Sequence, residues 1–180
     1  TIKIWGDREM SIALDYYHTN FVNQVVVDYD KDANQVWFSN LDGKSYSNAA
    51  QLDINIEPLE GFNISLAGRY NDVMTTYHGE LMQKPYVSKW QGLVVLSYKT
   101  KYDKWMFDLT TQCNGKQRVP LNVGYYEEYA PGYIYMLAQI TRKFKNFDVY
   151  VGAENLTDYK QDTPVFGADQ PFSQQFDASV

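Results

Sequence analysis

Apolar and polar positions alternate with a period of two along most of the chain. In the first clear segment Leu52, Ile54 and Ile56 interleave with Gln51, Asp53, Asn55 and Glu57. A second sets Phe62, Ile64, Leu66 and Tyr70 against Asn63, Ser65, Arg69 and Asn71. A third sets Trp105, Phe107 and Leu109 against Asp108, Thr110 and Gln112, and a fourth sets Phe147, Val149, Val151 and Ala153 against Asp148, Tyr150, Gly152 and Glu154. Successive side chains of a strand point to opposite faces, so each segment predicts a strand with one apolar and one polar face. Weaker alternation marks strands around Ser11–Tyr17, Gly92–Lys99 and Tyr133–Arg142. No comparable stretch carries a helical period, and the fold class is all-β.

Turn-forming residues sort the connections into two kinds. Short ones fall at Gly6-Asp7-Arg8, Pro58-Leu59-Glu60-Gly61, Lys101-Tyr102-Asp103 and Lys145-Asn146. Long ones are expected over Asp28–Gln35, Tyr77–Ser88, Cys113–Pro131 and Tyr159–Phe172. Short and long connections alternate, so an antiparallel up-and-down meander gathers the short turns at one end and the long loops at the other. Transmembrane β-barrels have this asymmetry. Phe62, Trp105 and Phe147 open the apolar faces of strands that leave short turns. They predict an aromatic girdle at the membrane boundary, where amphipathic rings settle at headgroup level. Of the polar-face charges, Asp53, Arg69, Asp108 and Glu154 are expected mid-strand, and Asp53 could pair with Arg69 across the Pro58–Gly61 hairpin.

Composition narrows the class. Sixteen Tyr, nine Phe and four Trp make 16% of 180 residues aromatic. The stretch Tyr129–Thr141 is the longest free of Asp, Glu, Lys and Arg, which is short of the ~20 apolar residues a membrane-spanning helix needs. One cysteine, Cys113, excludes an internal disulfide framework and a multi-cysteine metal site. The formal net charge of −6 offers no basic face to nucleic acid. About nine strand segments, the last incomplete, leave an odd and unclosed count, because single-chain bacterial barrels have even strand numbers. The ends read as cuts through a longer chain.

The run Gly152-Ala153-Glu154-Asn155-Leu156-Thr157-Asp158-Tyr159 resembles a signature near the C-terminus of TonB-dependent outer-membrane receptors, on a late strand emerging toward the extracellular side. Asp15–Phe21 and Asn40–Ser45 with Gln51-Leu52 look like two consecutive strands of the same barrel, and Arg69–Val73 has the family's look. Phe176–Val180 would begin the closing hairpin. Asn48 and Gln51 depart from the Gly and Glu more usual at those positions. The resemblance implies that residues 1–180 are a C-terminal part, eight to nine strands, of a roughly 22-stranded barrel, without its plug domain and final strand. It implies a Gram-negative outer-membrane location and uptake of a siderophore, haem, cobalamin or glycan. The implied partners are outer-membrane lipid, a small nutrient ligand, and the TonB complex acting through the missing plug. No cofactor is implied.

Binding chemistry is expected in the loops. The Cys113–Pro131 loop holds Arg118, Tyr125, Tyr126 and Tyr129, rings that stack on sugars or macrocycles beside a guanidinium that could anchor a carboxylate. The same tyrosines could instead order the loop or join an outer girdle. His18 and His78 lie high on strands approaching long loops. Neither has metal-ligand spacing, so both are read first as solvated or interface histidines, with contact to a metal chelate the alternative. No nucleophile elbow or phosphate loop is present, which disfavours an enzyme. Asn155-Leu156-Thr157 is read as strand sequence. Two rival architectures remain at this level: a soluble aromatic-rich β-sandwich that binds carbohydrate, and a small complete outer-membrane barrel.

Overall fold

The computed structural model describes residues 2–5, 8–32, 35–120 and 128–160. Its main sheet is an antiparallel meander of eight successive strands: β1 (Ile2–Trp5), β2 (Arg8–Phe21), β5 (Ser45–Leu59), β6 (Phe62–Tyr77), β8 (Trp90–Lys99), β9 (Trp105–Asn114), β12 (Tyr133–Lys143) and β13 (Asp148–Ala153). A short strand, β7 (Glu80–Gln83), pairs with the top of β6. Two small hairpins stand apart from the sheet: β3 (Val25–Asp32) with β4 (Gln35–Asn40), and β10 (Gln117–Arg118) with β11 (Tyr129–Ala130). The sheet path runs from β1 to β13 without closing.

Register turns the alternation into two continuous faces. Across β2, β5, β6 and β8 the rows Ile12–Ile54–Leu66–Val94 and Met10–Ile56–Ile64–Leu96 lie side by side. Leu109, Ala138 and Ile140 extend the same face through β9 and β12, and Val151 carries it onto β13. The opposite face carries rows such as Ser11–Asn55–Ser65 and Asp15–Gln51–Arg69–Gln91. Nothing among the described residues covers the apolar face: Leu14 is 75% exposed and Val151 73%. A sandwich would bury these side chains under a second sheet.

Aromatic rings bound the apolar face at both ends. At the short-turn end Phe62, Tyr98, Phe107 and Trp105 form a chain of rings with centroids 6.4 Å apart. Phe144 and Phe147 stack at 4.8 Å, and the Arg142 guanidinium lies 4.5 Å over Trp105. At the long-loop end Tyr70 and Trp90 meet at 4.6 Å, in the row that also holds Tyr16. From Phe62 to Tyr70 is eight residues, about 26 Å of strand. Tilted as barrel strands are, that covers about 20 Å of bilayer, close to the apolar band of outer-membrane barrels.

The short turns are built tightly. Gly61 takes φ +77°, and a Cβ there would collide with the Lys99 carbonyl oxygen, so neither the dihedral nor the space admits a side chain. Its N–H donates to Glu57 Oε1 at 3.0 Å.

Three expectations need correction. Asp28–Gln35 is not a simple long loop: β2 ends at Phe21, and the connection to β5 contains the β3–β4 hairpin, with Val25–Asp32 extended. Glu154 lies beyond the end of β13 rather than mid-strand. Asp53 does not pair with Arg69, because register sets Gln51 opposite Arg69; the Gln51 amide donates to Asp53 at 2.9 Å, and Arg69 Nε donates to Asn71 at 2.8 Å. Phe176–Val180 lies outside the described residues.

Candidate functional site

The long connections converge into a cap at one end of the sheet, and that cap contains nearly all of the buried side chains. Tyr77, Thr75, Asn71 and Ser45 lie on the polar face near the strand tops and are buried there. The connections therefore lean over the side of the sheet away from the apolar face. Ser45 Oγ meets Gln24 Oε1 at 2.8 Å and Thr75 Oγ1 at 3.1 Å, tying the first connection to β5 and β6. Asn71 takes its backbone and side-chain contacts from the next one, donating from N to the Lys89 carbonyl and from Nδ2 to that of Ser88. Tyr77 and Glu80 close a two-residue His78-Gly79 turn, with both residues at positive φ (50° and 84°), the dihedrals that let a tight hairpin follow the strand twist.

Arg118 sits at the centre of this cap, 1% exposed. Its Nη1 and Nη2 donate to the two carboxylate oxygens of Asp30 at 3.0 and 2.7 Å, and its Nε donates to the Gln83 carbonyl. One side chain thus joins β10, the β3–β4 hairpin and β7. The guanidinium also lies 5.7 Å over the Tyr77 ring. Burial pushes the Tyr77 hydroxyl above the usual tyrosine range, an effect the Arg118 charge opposes. Burial also raises Tyr86, whose N–H donates to the Arg118 carbonyl and whose ring meets Tyr29 edge-on at 6.1 Å. Asp28 continues the network: its Oδ1 accepts the Asp30 N–H at 2.8 Å and its Oδ2 lies 2.7 Å from His78 Nε2. Gln83 Oε1 is buried without a hydrogen-bond partner among the described residues, while Nε2 donates to the Val87 carbonyl.

The predicted site residues therefore separate. Arg118, expected as a ligand anchor, is buried as an internal strut whose carboxylate partner is Asp30 of the same chain. His78 is at the cap surface, half-exposed, with one ring nitrogen on Asp28. Tyr129 is half-buried in β11. Tyr125 and Tyr126 lie outside the described residues. Phe62 and Trp105 fall on the apolar face at the short-turn end, and Phe147 precedes β13 at the same end. Among the described residues no group of His, Cys, Asp and Glu converges as a metal site.

The resemblance block has its own geometry. Asn155-Leu156-Thr157-Asp158-Tyr159 is a turn, not strand. Asn155, at φ 52°, accepts the Tyr159 N–H on Oδ1 at 2.9 Å and donates from Nδ2 to the Tyr159 carbonyl at 3.0 Å. Thr157 Oγ1 donates to the Ile134 carbonyl at 2.8 Å, and Tyr159 stacks on Tyr133 at 4.6 Å. The turn walls a groove of about 700 Å³ shared with Trp90, Asn114 and Gly132. Lower on the polar face, Gln51, Arg69, Gln91, Gln112 and Asn114 line a shallow hollow of about 260 Å³. Sequence reasoning missed Asp28, Asp30, Tyr77 and Gln83. The alternation Val25-Val26-Val27-Asp28-Tyr29-Asp30, with Val26, Asp28 and Asp30 on one buried side, was the available signal.

An unclosed antiparallel meander with an outward apolar belt, aromatic rows at both its edges and a loop cap at one end is a segment of the wall of a large transmembrane β-barrel. Solved receptors have the same architecture. The chain superposes on the siderophore receptor PiuA from Acinetobacter baumannii with a TM-score of 0.61 over 86% of its length, at 19% identity. It superposes on BauA, the ferric preacinetobactin receptor of the same organism, with a TM-score of 0.59 over 83% of its length, at 17% identity. The chain spans 23% of the length of each. No protein-family model matches the sequence, and no curated protein does.

Proposed function

We propose that this chain is part of the wall and loop cap of an outer-membrane TonB-dependent receptor, and that the receptor imports a scarce nutrient with a ferric siderophore as the substrate class. The observation that carries this reading is the apolar belt, bounded by aromatic rows, with the long connections gathered beyond one row. It fits a wall with lipid outside and water or a plug inside. The likeness in fold to two receptors named for siderophores favours that class over haem, cobalamin or glycans. Residues 1–180 then belong to the C-terminal part of the barrel. A plug elsewhere in the full protein receives energy from the TonB complex, and the chain itself carries out no covalent chemistry.

In this reading the cap faces the outside of a Gram-negative cell. His78 and Tyr129, with Tyr125 and Tyr126 on the connection between β10 and β11, approach the ligand, and Arg118 holds that connection in place. The polar hollow around Arg69 lies along the lumen wall below. Cell fractionation and surface proteolysis test the reading together. The full-length protein should sediment with outer membranes and need detergent for extraction. Protease added to whole cells should cut near Gln117–Tyr126 and spare Pro58–Gly61. Deleting the gene should abolish iron-limited growth on at least one ferric siderophore. A product soluble without detergent, or the reverse cleavage pattern, overturns the assignment.

A further inference from the structure

Above the Tyr16–Ala50–Tyr70–Trp90 row the outward face changes character. The next row on that face is His18–Asn48–Asp72, followed by Asn20–Tyr46–Met74. The lower row is bonded into one network with Tyr16. Asn48 Oδ1 receives the Tyr16 hydroxyl at 3.0 Å and lies 2.6 Å from His18 Nδ1. Asn48 Nδ2 donates to Asp72 Oδ2 at 3.5 Å, and Tyr46 stands one row higher on the same face. With Nδ1–H donating to Asn48, His18 Nε2 is left as an acceptor with no protein partner among the described residues.

We infer that this patch binds the sugar headgroup of an outer-leaflet glycolipid. The inference rests on the membrane reading proposed above, which puts the row one step, about 6–7 Å of strand, beyond the aromatic boundary and on the lipid side of the wall. The loop cap leans over the other face, so no ligand on its way through the lumen meets these residues. The chemistry suits hydroxyl groups. One carboxylate, one amide, one imidazole and two phenols supply both donors and acceptors. The Tyr70 and Trp90 rings just below, the latter 64% exposed, offer flat apolar faces to a sugar ring. No lysine or arginine is bonded into the network, so it lacks the fork or point charge that recognises phosphate.

The test uses the full-length receptor in phosphatidylethanolamine vesicles with three probes: lipopolysaccharide with its complete sugar core, the same lipid trimmed of sugars, and the free core oligosaccharide. Native mass spectrometry reads the lipid retained per barrel. The complete glycolipid should be retained at least about tenfold better than either other probe. The double variant Asn48→Ala/Asp72→Ala should lose that preference, as expected when two or more hydrogen bonds are removed. Asp72→Asn should keep part of it, and Asn63→Ala, on the lumen side, should keep all of it. Equal retention of the trimmed lipid would assign the contact to acyl chains, and equal binding of the free oligosaccharide would assign it to soluble sugars. Either result overturns the inference while a heat-modifiable barrel in the outer-membrane fraction leaves the receptor reading intact. Failure to reach that fraction removes both.

Discussion

In the wall, one face is a nearly continuous belt of isoleucine, leucine and valine and the other is mainly polar; in the cap, the interior is made of charges and amides. Leu14, Ile12 and Val151 stay exposed on the wall, whereas Arg118, Asp30, Ser45 and Gln83 are buried under the loops. In the function proposed above, lipid covers the wall's apolar face, and its strands satisfy one another's backbone groups, as a bilayer demands. Among its described residues the cap buries few apolar side chains, Val26 and Tyr77 chief among them. It is held instead by hydrogen bonds and one fully desolvated ion pair. The two regions should therefore fail separately, and in response to different substitutions.

The largest separation is expected from Arg118→Ala. Removing one partner of a buried ion pair leaves the other charge unpaired and costs about 3–5 kcal/mol. The loss should fall on the cap alone: whole-cell proteolysis of the β9–β12 connection should speed up by more than tenfold, while the urea midpoint of the barrel in vesicles stays put. Replacing both partners, Arg118→Met with Asp30→Leu, should restore much of the protection, since apolar groups of similar size need no pairing. A parallel fall in barrel stability for Arg118→Ala would show that cap and wall are one cooperative unit.

The wall is tested by a charge on either of its faces. Leu66→Arg puts a guanidinium midway between the two aromatic rows on the lipid side, at a cost of about 2–4 kcal/mol. Leu93→Arg puts the same group on the lumen side, where a surface substitution shifts stability by about 0.5 kcal/mol or less. Urea unfolding of the two variants in vesicles measures the difference. Equal costs would contradict the assignment of faces. Gly61→Val, at the base of the β5–β6 hairpin, is expected to cost about 1–3 kcal/mol through its positive φ and the Lys99 carbonyl, and it should leave cap proteolysis unchanged.

The same contrast explains what could be read without coordinates. The wall was legible because a two-sided environment writes a period of two into every strand, and short turns carry their own residues. Phe62, Trp105 and the alternation of short with long connections located the faces and the ends. The cap obeys no such rule. Asp28 and Asp30 look like part of a solvated loop tip because the groups that desolvate them lie far along the chain; Arg118 is 88 residues from Asp30. A lone arginine among tyrosines gives no sign of whether it faces a ligand or a neighbouring loop. Asn155 and Asp158 are turn formers, but the alternation running through Glu154 made the strand appear to continue.

The smallest expected effect belongs to pH and again divides the regions. Tyr77 is buried beneath Arg118, and burial raises its hydroxyl above the usual tyrosine range. A group whose folded-state pKa is raised favours the protonated form in the native cap. Its contribution is complete below the unfolded value and is lost as pH rises through the folded one, because the unfolded cap gives up its proton first. Cap protection against protease should therefore be flat up to about pH 10 and decline above it. Tyr77→Phe keeps the ring under the guanidinium and removes the titrating group, so its protection should decline less over that range. The wall carries no such dependence in this prediction, and its urea midpoint serves as the internal reference. If the Tyr77→Phe cap weakens with alkali as steeply as the parent, the dependence arises elsewhere, with Tyr86, the cap's other phenol raised by desolvation, the next to replace.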